Sequence, residues 1–372
     1  MHERVRRDEI RGAAAPRIAL PVHFPRAWID STNSTDRIMN TSASIPVVLC
    51  VDVEPDKRRV DVRARLPWRG FALTQQVLDR LRSGVARTSP DARFSWYFRI
   101  DPQVERTYGS AAWIVETNPA LMDALRAAGD DFGLHVHAYR WDASRNGWVM
   151  DYGDPEWIDS CLTLAFSAFE SSVGTPCTLF RFGDHWMDQR TFERLAALGV
   201  EIDLTIEPGH DAASPYRESE PFTGVLPDYR STPSYPYRPS DADFRVPDGT
   251  RHDGIWELPV TTAPVQPPLA YRVYHRWISG RPPVATSTAL VSAEPSVFAR
   301  IIDEALGRPN PHLVLALHSG AVTTTRHAAR IETNLSVLLK RPEASRFAWV
   351  TPRAAIERLQ PSSARSALID QA

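Results

Sequence analysis

The sequence is poor in cysteine, which limits the kinds of site that it can build. Its three cysteines, Cys50, Cys161 and Cys177, are odd in number and lie far apart. That spacing matches neither a disulfide framework nor a zinc site built on cysteine. We therefore expect a reducing compartment, and any metal ligands must come from other residue types.

Long apolar runs and an excess of charge are also missing. No stretch of about 18 apolar residues is present, so the sequence predicts no membrane span. The formal net charge of -2 offers no electrostatic attraction for nucleic acid. Residues 1–44 lack the continuous apolar centre of a secretory signal and are predicted to form a flexible extension, in which Met39 is an alternative start. On these grounds we expect a cytoplasmic protein.

What is present is a regular alternation of strand-like and helix-like segments. Apolar runs such as IPVVLCV (45–51) and HLVLAL (312–317) are typical of strands buried on both faces. Between such runs, apolar residues recur at helical spacing, which predicts parallel strands joined by right-handed helical crossovers. About seven such units without a clean break predict one barrel-like domain over 45–360, with a long insertion at 207–253 and a tail at 361–372.

Residues with chemical possibilities follow several of the predicted strands. In order along the chain they are Asp52, Glu54, His135, His137, Arg181, Asp203 and His318. In a parallel barrel all the carboxyl ends of the strands meet at one face, so we expect most of these side chains to converge. Asp203 is the exception, and we interpret it as an N-cap of the segment that follows.

The pair His135 and His137 is the most informative of these. Residues two apart on a strand point to the same face, so both imidazoles can reach one ion. The alternative is that one ring is a hydrogen-bonded core residue and the other is exposed. Together with the carboxylates of Asp52 and Glu54, the two rings form a divalent metal site with one carboxylate to spare. Zinc is favoured, although cobalt, nickel, iron and manganese are also compatible with these ligands.

Five segments resemble the motifs of the polysaccharide deacetylases, carbohydrate esterase family 4. In chain order they read LCVDVEP, GLHVHAYRW, FRFGDHWMDQRTFERLAALGVEIDLTIEPG, GIWELPVT and LVLALHSG. The third is the most specific, because it is similar over some thirty residues. The resemblance covers about residues 45–360 and implies a distorted (β/α)7–8 barrel.

The resemblance also implies roles for single residues. It makes Asp52 the catalytic base, Arg181 the residue that orients it, and His318 the general acid. It makes Glu54, His135 and His137 the metal ligands. Two departures stand out: the family usually spaces its histidines four apart, where this chain has Tyr139, and Glu54 replaces the commoner Asp. Either His137 takes over as the second imidazole ligand or the metal loses one.

Four aromatic residues are candidates for substrate binding. Tyr139 and Trp141 lie in the second of these segments, Trp186 in the third and Trp256 in the fourth. Such rings can stack on a sugar as apolar platforms with a polar edge. For any one of them, packing in the core is the alternative.

From these residues we expect a metal-dependent hydrolase that removes an N-acyl group, most simply acetyl, from an amino sugar or glycoside. Its partner is then a saccharide or another small molecule. Two alternatives stay open: hydrolysis of a non-sugar amide or ureide on the same fold, and a catalytically inactive homologue that binds a glycan.

Overall fold

A computed structural model describes residues 44–212, 221–265 and 286–360. Nearly all of the predicted extension at 1–44, and the whole tail at 361–372, lie outside the described residues. The boundaries predicted for these two segments therefore stay predictions.

The centre of the fold is a sheet of parallel strands. The first strand, β1, is buried along its whole length, as its run of β-branched residues predicts. Seven strands lie in the order β12-β1-β2-β3-β6-β7-β9, and β13 pairs with the start of β1. They are β1 (Ile45–Val53), β2 (Ser95–Arg99), β3 (Asp131–Val136), β6 (Leu179–Phe182), β7 (Ile202–Asp203), β9 (Trp256–Glu257), β12 (Leu313–His318) and β13 (Phe347–Trp349).

The sheet curls until its two ends approach each other. The amide of Thr261, shortly after β9, donates a hydrogen bond of 2.9 Å to the carbonyl of Val314 on β12. Leu290 forms a parallel bridge with Ala316 on the same strand. The predicted distorted (β/α) barrel is thus confirmed, with short irregular segments completing the ring between β9 and β12.

Helices cover the outside of the sheet. Most begin at a residue whose side chain accepts a hydrogen bond from the first turn, such as Asp154 and Thr324, as expected of N-caps. The described helices are α1 (Arg69–Val85), α2 (Pro102–Tyr108), α3 (Trp113–Glu116), α4 (Pro119–Ala127), α5 (Pro155–Val173), α6 (Gln189–Ala197), α7 (Pro295–Leu306), α8 (Thr325–Leu339) and α9 (Pro352–Leu359). None of these helices combines the length and apolar character needed to cross a membrane.

Alternation along the strands divides the core into two layers. On β1, Val48 and Cys50 face the inside of the barrel, while Val47, Leu49 and Val51 pack against the helices. Asp52 continues the inward series one step beyond Cys50. The strand therefore delivers this carboxylate to the upper end of the barrel interior.

Two small sheets lie beside the barrel. One contains the hairpin of β4 (Tyr139–Asp142) and β5 (Gly147–Asp151), with β8 (Phe222–Thr223) added in parallel to β5. The other pairs β10 (Thr262–Pro264) with β11 (Thr286–Thr288). Beyond β8, the described part of the 207–253 insertion is irregular and buries Tyr229, Tyr237 and Phe244.

Candidate metal centre and active site

The strand register places the predicted residues side by side at one end of the barrel. On neighbouring strands Asp52 pairs with His318, and His135 pairs with Arg181. Glu54 follows the last residue of β1, where its amide donates to the hydroxyl of Ser319 at 2.8 Å. These side chains are far apart in the sequence and adjacent in the fold, as the convergence of parallel strand ends predicts.

Three of them bring their ligand atoms to one point. The Oε1 atom of Glu54 lies 3.1 Å from Nε2 of His135 and 3.0 Å from Nε2 of His137. The two Nε2 atoms are themselves 3.0 Å apart. Both rings are almost completely buried. The structure therefore brings together the three residues predicted as metal ligands.

Hydrogen bonds at the far side of each ring decide which nitrogen carries the proton. Nδ1 of His135 lies 3.0 Å from the carbonyl oxygen of Arg181, and Nδ1 of His137 lies 3.2 Å from Oδ2 of Asp184. Both partners are acceptors, so each Nδ1 must donate. In the neutral rings both Nε2 atoms then carry lone pairs that point at Glu54.

This arrangement fits a divalent cation. Three electron-rich atoms within about 3 Å of one another repel unless a positive charge lies among them. Two imidazoles and one carboxylate are a ligand set that suits zinc and related metals.

Arg181 connects the remaining groups of the site. Its Nε donates to Oδ2 of Asp52 at 3.0 Å, its Nη1 donates to the carbonyl of Leu204 at 2.6 Å, and its Nη2 lies 3.3 Å from Oε1 of Glu207. Burial opposes ionisation of Asp52, but the Arg181 guanidinium keeps the pKa of that carboxyl below its ordinary value. Asp52 is fully enclosed, and its Oδ1 atom has no hydrogen-bond partner among the described residues.

His318 lies between Asp52 and the cavity. Its Nδ1 atom is 3.3 Å from Oδ2 of Asp52 and 3.4 Å from Oε2 of Glu54. Burial disfavours the charged ring, but these two carboxylates outweigh it and raise the pKa of His318 to about 9. The ring is therefore an imidazolium at neutral pH, and about a third of its surface is exposed.

A cavity of about 640 Å³ opens at this end of the barrel. Glu54, His135, His137 and His318 line it. Residues of other segments also line it, among them Arg58, Phe182, Asp184, His185, Glu207, His210, Thr286, Ser287, Thr288, Leu290, Ala293 and Val297. Asp52 does not line the cavity, so His318 separates its carboxylate from the open space.

The four aromatic residues predicted to bind substrate are not brought to this cavity. Tyr139 is fully buried and stacks on His137, with its hydroxyl accepting from Nε of Arg58 at 2.7 Å. Trp141 packs edge-on against Trp148 in the hairpin. In the structure it is Nε2 of His137 that lies beside Nε2 of His135 and Oε1 of Glu54, while Tyr139 stacks on the His137 ring; His137 as the second imidazole ligand stays a prediction.

Trp186 and Trp256 are also not among the described residues that line the cavity. Trp186 is buried and stacks on Tyr152, with ring centres 4.8 Å apart. Trp256 lines a separate cavity, where the guanidinium of Arg238 lies over its ring. Trp186 therefore packs in the core, whereas Trp256 is partly exposed; for both, a role in substrate binding stays a prediction.

Several polar residues of the site were not singled out from the sequence. Asp184 and Glu207 both fall inside the long third motif, but an isolated acid in a loop is usually a surface residue. They follow Arg181 by three and 26 residues in the sequence, and this position within the motif was the only indication that they belong to the site. Burial raises the pKa of Glu207 less than His185, Arg181 and His210 lower it, to about 2, so this carboxylate is ionised.

No known family model matches the sequence, and no curated protein matches it. The fold is similar to solved structures. A probable polysaccharide deacetylase from Pseudomonas aeruginosa is 12% identical, with a TM-score of 0.45 over 85% of this chain and 91% of that one. A family 4 carbohydrate esterase from Streptomyces lividans, in complex with acetate, is 12% identical, with a TM-score of 0.36 over 82% and 92%.

A third similar structure is Puue allantoinase. It is 11% identical, with a TM-score of 0.45 over 91% of this chain and 97% of that one. Several of the similar structures are polysaccharide deacetylases or family 4 carbohydrate esterases, the family that the motifs of this sequence resemble.

Proposed function

We propose that this protein is a metal-dependent hydrolase that removes an N-acyl group, most simply acetyl, from an amino sugar or glycoside. One observation carries the proposal: the lone pairs of Glu54, His135 and His137 converge beside an ionised Asp52 and a cationic His318. These are the groups that water-mediated cleavage of an amide requires.

Glu54, His135 and His137 would hold the metal. Three protein ligands leave room for water, and a divalent ion bound there lowers the pKa of that water and polarises a carbonyl. The ligand set favours zinc and also suits cobalt, nickel, iron or manganese.

Asp52 is the proposed base. Its Oδ2 atom is held by Arg181, while Oδ1 has no partner in the described residues and can accept a proton. The water oxygen forms a bond to the acyl carbon, and a water proton passes to Asp52.

His318 is the proposed acid. Its Nδ1 is turned to the two carboxylates, and within the described residues its Nε2 has no hydrogen-bond partner. As the carbon–nitrogen bond breaks, the imidazolium gives its proton to the departing nitrogen. The products are a carboxylic acid, which keeps the second water proton, and a free amine. The site returns to its starting state when Asp52 loses the proton it accepted and His318 regains one.

A second candidate, hydrolysis of a non-sugar amide or ureide, is favoured by one specific observation. Among the described lining residues, Phe182 is the one Phe, Tyr or Trp. The described lining therefore offers a sugar ring few of the stacking surfaces that carbohydrate sites commonly use. A compact polar substrate fits its hydroxyl, imidazole and carboxylate groups.

The test begins with metal analysis of protein purified without chelator, followed by an activity screen. N-acetylglucosamine conjugates and cyclic ureides are compared at equal concentration, with and without added zinc. The variant His135→Ala serves as the matched blank, since it removes one ligand. Turnover of the N-acetyl compounds supports the first function, and turnover of ureides alone favours the second. Metal-free protein without turnover would point to the inactive glycan-binding alternative.

A further inference from the structure

The turn after β6 holds two consecutive residues in a conformation that side chains rarely adopt. Asp184 and His185 have φ values of 59° and 46°, in the left-handed region. Neither is glycine, so each costs on the order of 1 kcal/mol or more relative to an extended residue. Such strain persists where the surroundings require it, and it clusters at functional sites.

The strained turn aims Asp184 at the metal centre. Its Oδ2 atom accepts from Nδ1 of His137 at 3.2 Å and from the hydroxyl of Tyr152 at 2.8 Å, while Oδ1 pairs with Arg58. The carboxylate is 2% exposed. Both of its oxygens are thus engaged, and one of them fixes the proton of His137 on the nitrogen that faces away from Glu54.

The backbone of the same turn holds the ring from one side. A Cβ atom added at Gly183 would lie 2.3 Å from the His137 ring, so the ring rests directly on the glycine backbone. Tyr139 stacks on that ring, with centres 5.6 Å apart and planes 27° apart. Its hydroxyl binds Arg58, which returns to Asp184. A closed circuit of contacts therefore surrounds His137.

We propose that Asp184 is the positioning residue that makes His137 a metal ligand, an inference that rests on the proposed metal site. A histidine two residues after His135 leaves the strand at a different point from one four residues after it. The turn of residues 183–185 compensates by placing a glycine backbone against the ring and an acceptor at its Nδ1. Outer carboxylates of this kind fix the tautomer of a ligand and increase its basicity.

The experiment measures metal affinity rather than turnover. Zinc and cobalt dissociation constants are obtained by competition with a chelator for the wild-type protein, Asp184→Ala and Asp184→Asn. We expect Asp184→Ala to weaken binding by about 10- to 100-fold, because loss of an outer partner has that effect on metal sites. Asp184→Asn keeps the size and one acceptor oxygen, so its loss should be smaller. The visible spectrum of the cobalt-loaded protein should change in both variants.

Asp130→Asn is the matched control. Asp130 is also a buried acid held by an arginine and an aromatic donor, since it binds Arg82 at 2.7 Å and Nε1 of Trp96 at 2.9 Å, away from the site. This variant should lose stability and keep wild-type metal affinity and cobalt spectrum. If it loses affinity equally, the effect of Asp184 is merely structural and the inference is wrong.

Two further results separate this inference from the proposed function. Wild-type affinity and spectrum in Asp184→Ala and Asp184→Asn would overturn the positioning role and leave metal dependence intact. Failure of the wild-type protein itself to bind either ion would overturn the metal dependence, and the role of Asp184 with it.

Discussion

Buried carboxyl groups occur in two regions of this protein and behave in opposite ways. One region is the site at the carboxyl ends of the strands, where Asp52, Glu54 and Glu207 each face arginine or histidine. We call these three residues the inner carboxyl groups. On the outer face, Asp203 and Glu257 are paired on neighbouring strands β7 and β9 and are completely buried beneath the described part of the insertion. The residue types and the degree of burial are similar in the two regions.

The difference lies in the partners. Asp203 accepts from the amide and hydroxyl of Thr205, and both Glu257 oxygens have no hydrogen-bond partner of ordinary geometry in the described residues. Burial, with the second carboxyl close by, raises the pKa of Glu257 well above its usual value, and burial raises that of Asp203 to about 6. Burial penalises charge in both regions, and it is the facing cation that keeps the inner groups ionised.

A strongly shifted pKa therefore does not by itself mark the active site. The pKa values of the outer pair are also strongly shifted, yet neither Asp203 nor Glu257 is among the described residues that line the cavity at the strand ends. What distinguishes the inner region is a set of complementary charges facing an open space, which is the arrangement that catalysis uses.

The largest expected effect comes from removing the carboxylate of Asp52, which is the proposed base and is not a metal ligand. Asp52→Asn should lower kcat by about 10²- to 10⁴-fold, the range of a lost general base. Metal content should stay unchanged, because Asp52 is not among the three ligands. Steady-state kinetics and metal analysis on the same preparation check both statements. Retained turnover would remove Asp52 from the role of base.

The second largest effect is expected from removing His318, the cationic ring that lines the cavity. His318→Ala should lower kcat by about a hundredfold or more for amide substrates. The loss should shrink for an activated ester, since its leaving group needs no proton. Equal losses on amide and ester would contradict the role of His318 as the acid.

The third prediction concerns the thermal stability of the protein with and without its metal. A ligand that binds the folded state alone stabilises it by about 2.7 kcal/mol at one hundred times its dissociation constant. Zinc added to chelator-treated protein should therefore raise Tm, and the rise should vanish in the His135→Ala variant. An equal rise in both proteins would mean that the ion binds elsewhere.

The comparison also shows how far the sequence could predict the site. The convergence of Asp52, Glu54, His135, His137 and His318 was predictable, because apolar runs locate buried parallel strands and their carboxyl ends meet. The seven-strand barrel follows from the same runs, with ends that agree to within a few residues. The sequence shows which residues follow each strand, and the rule that parallel strands end at one face of a barrel then brings those residues together.

The substrate wall was not predictable in this way. The hairpin of β4 and β5 went unrecognised, and it turns Trp141 away toward Trp148. Part of the cavity lining comes from 286–297, whose position depends on how the ring closes between β9 and β12. Asp203 was interpreted as an N-cap; its contact with the Thr205 amide has that form, but its burial beside Glu257 depends on the pairing of β7 with β9.

The smallest expected effect tests the outer pair. A folded-state pKa above the unfolded value stabilises the protein at low pH, and this stabilisation is lost as pH rises through the folded value. For Asp203 the window runs from about 4 to about 6, and for Glu257 it extends further upward. The loss is about 1.4 kcal/mol per pH unit for each group that titrates. The inner carboxylates contribute with the opposite sign, so one pH curve of the wild-type protein does not isolate the outer pair.

The difference in free energy of unfolding between the wild type and Glu257→Gln isolates the contribution of Glu257. The amide stays neutral, so the difference in free energy of unfolding between the two proteins should be constant at about pH 4 and below, and the variant should gain stability relative to the wild type as the pH rises toward 8. Urea unfolding at several pH values measures this divergence. Glu304→Gln, which removes an exposed carboxylate on α7, should run parallel to the wild type throughout. If Glu257→Gln also ran parallel, Glu257 would be ionised in the folded protein, and the contrast between paired inner and unpaired outer carboxyls would fail.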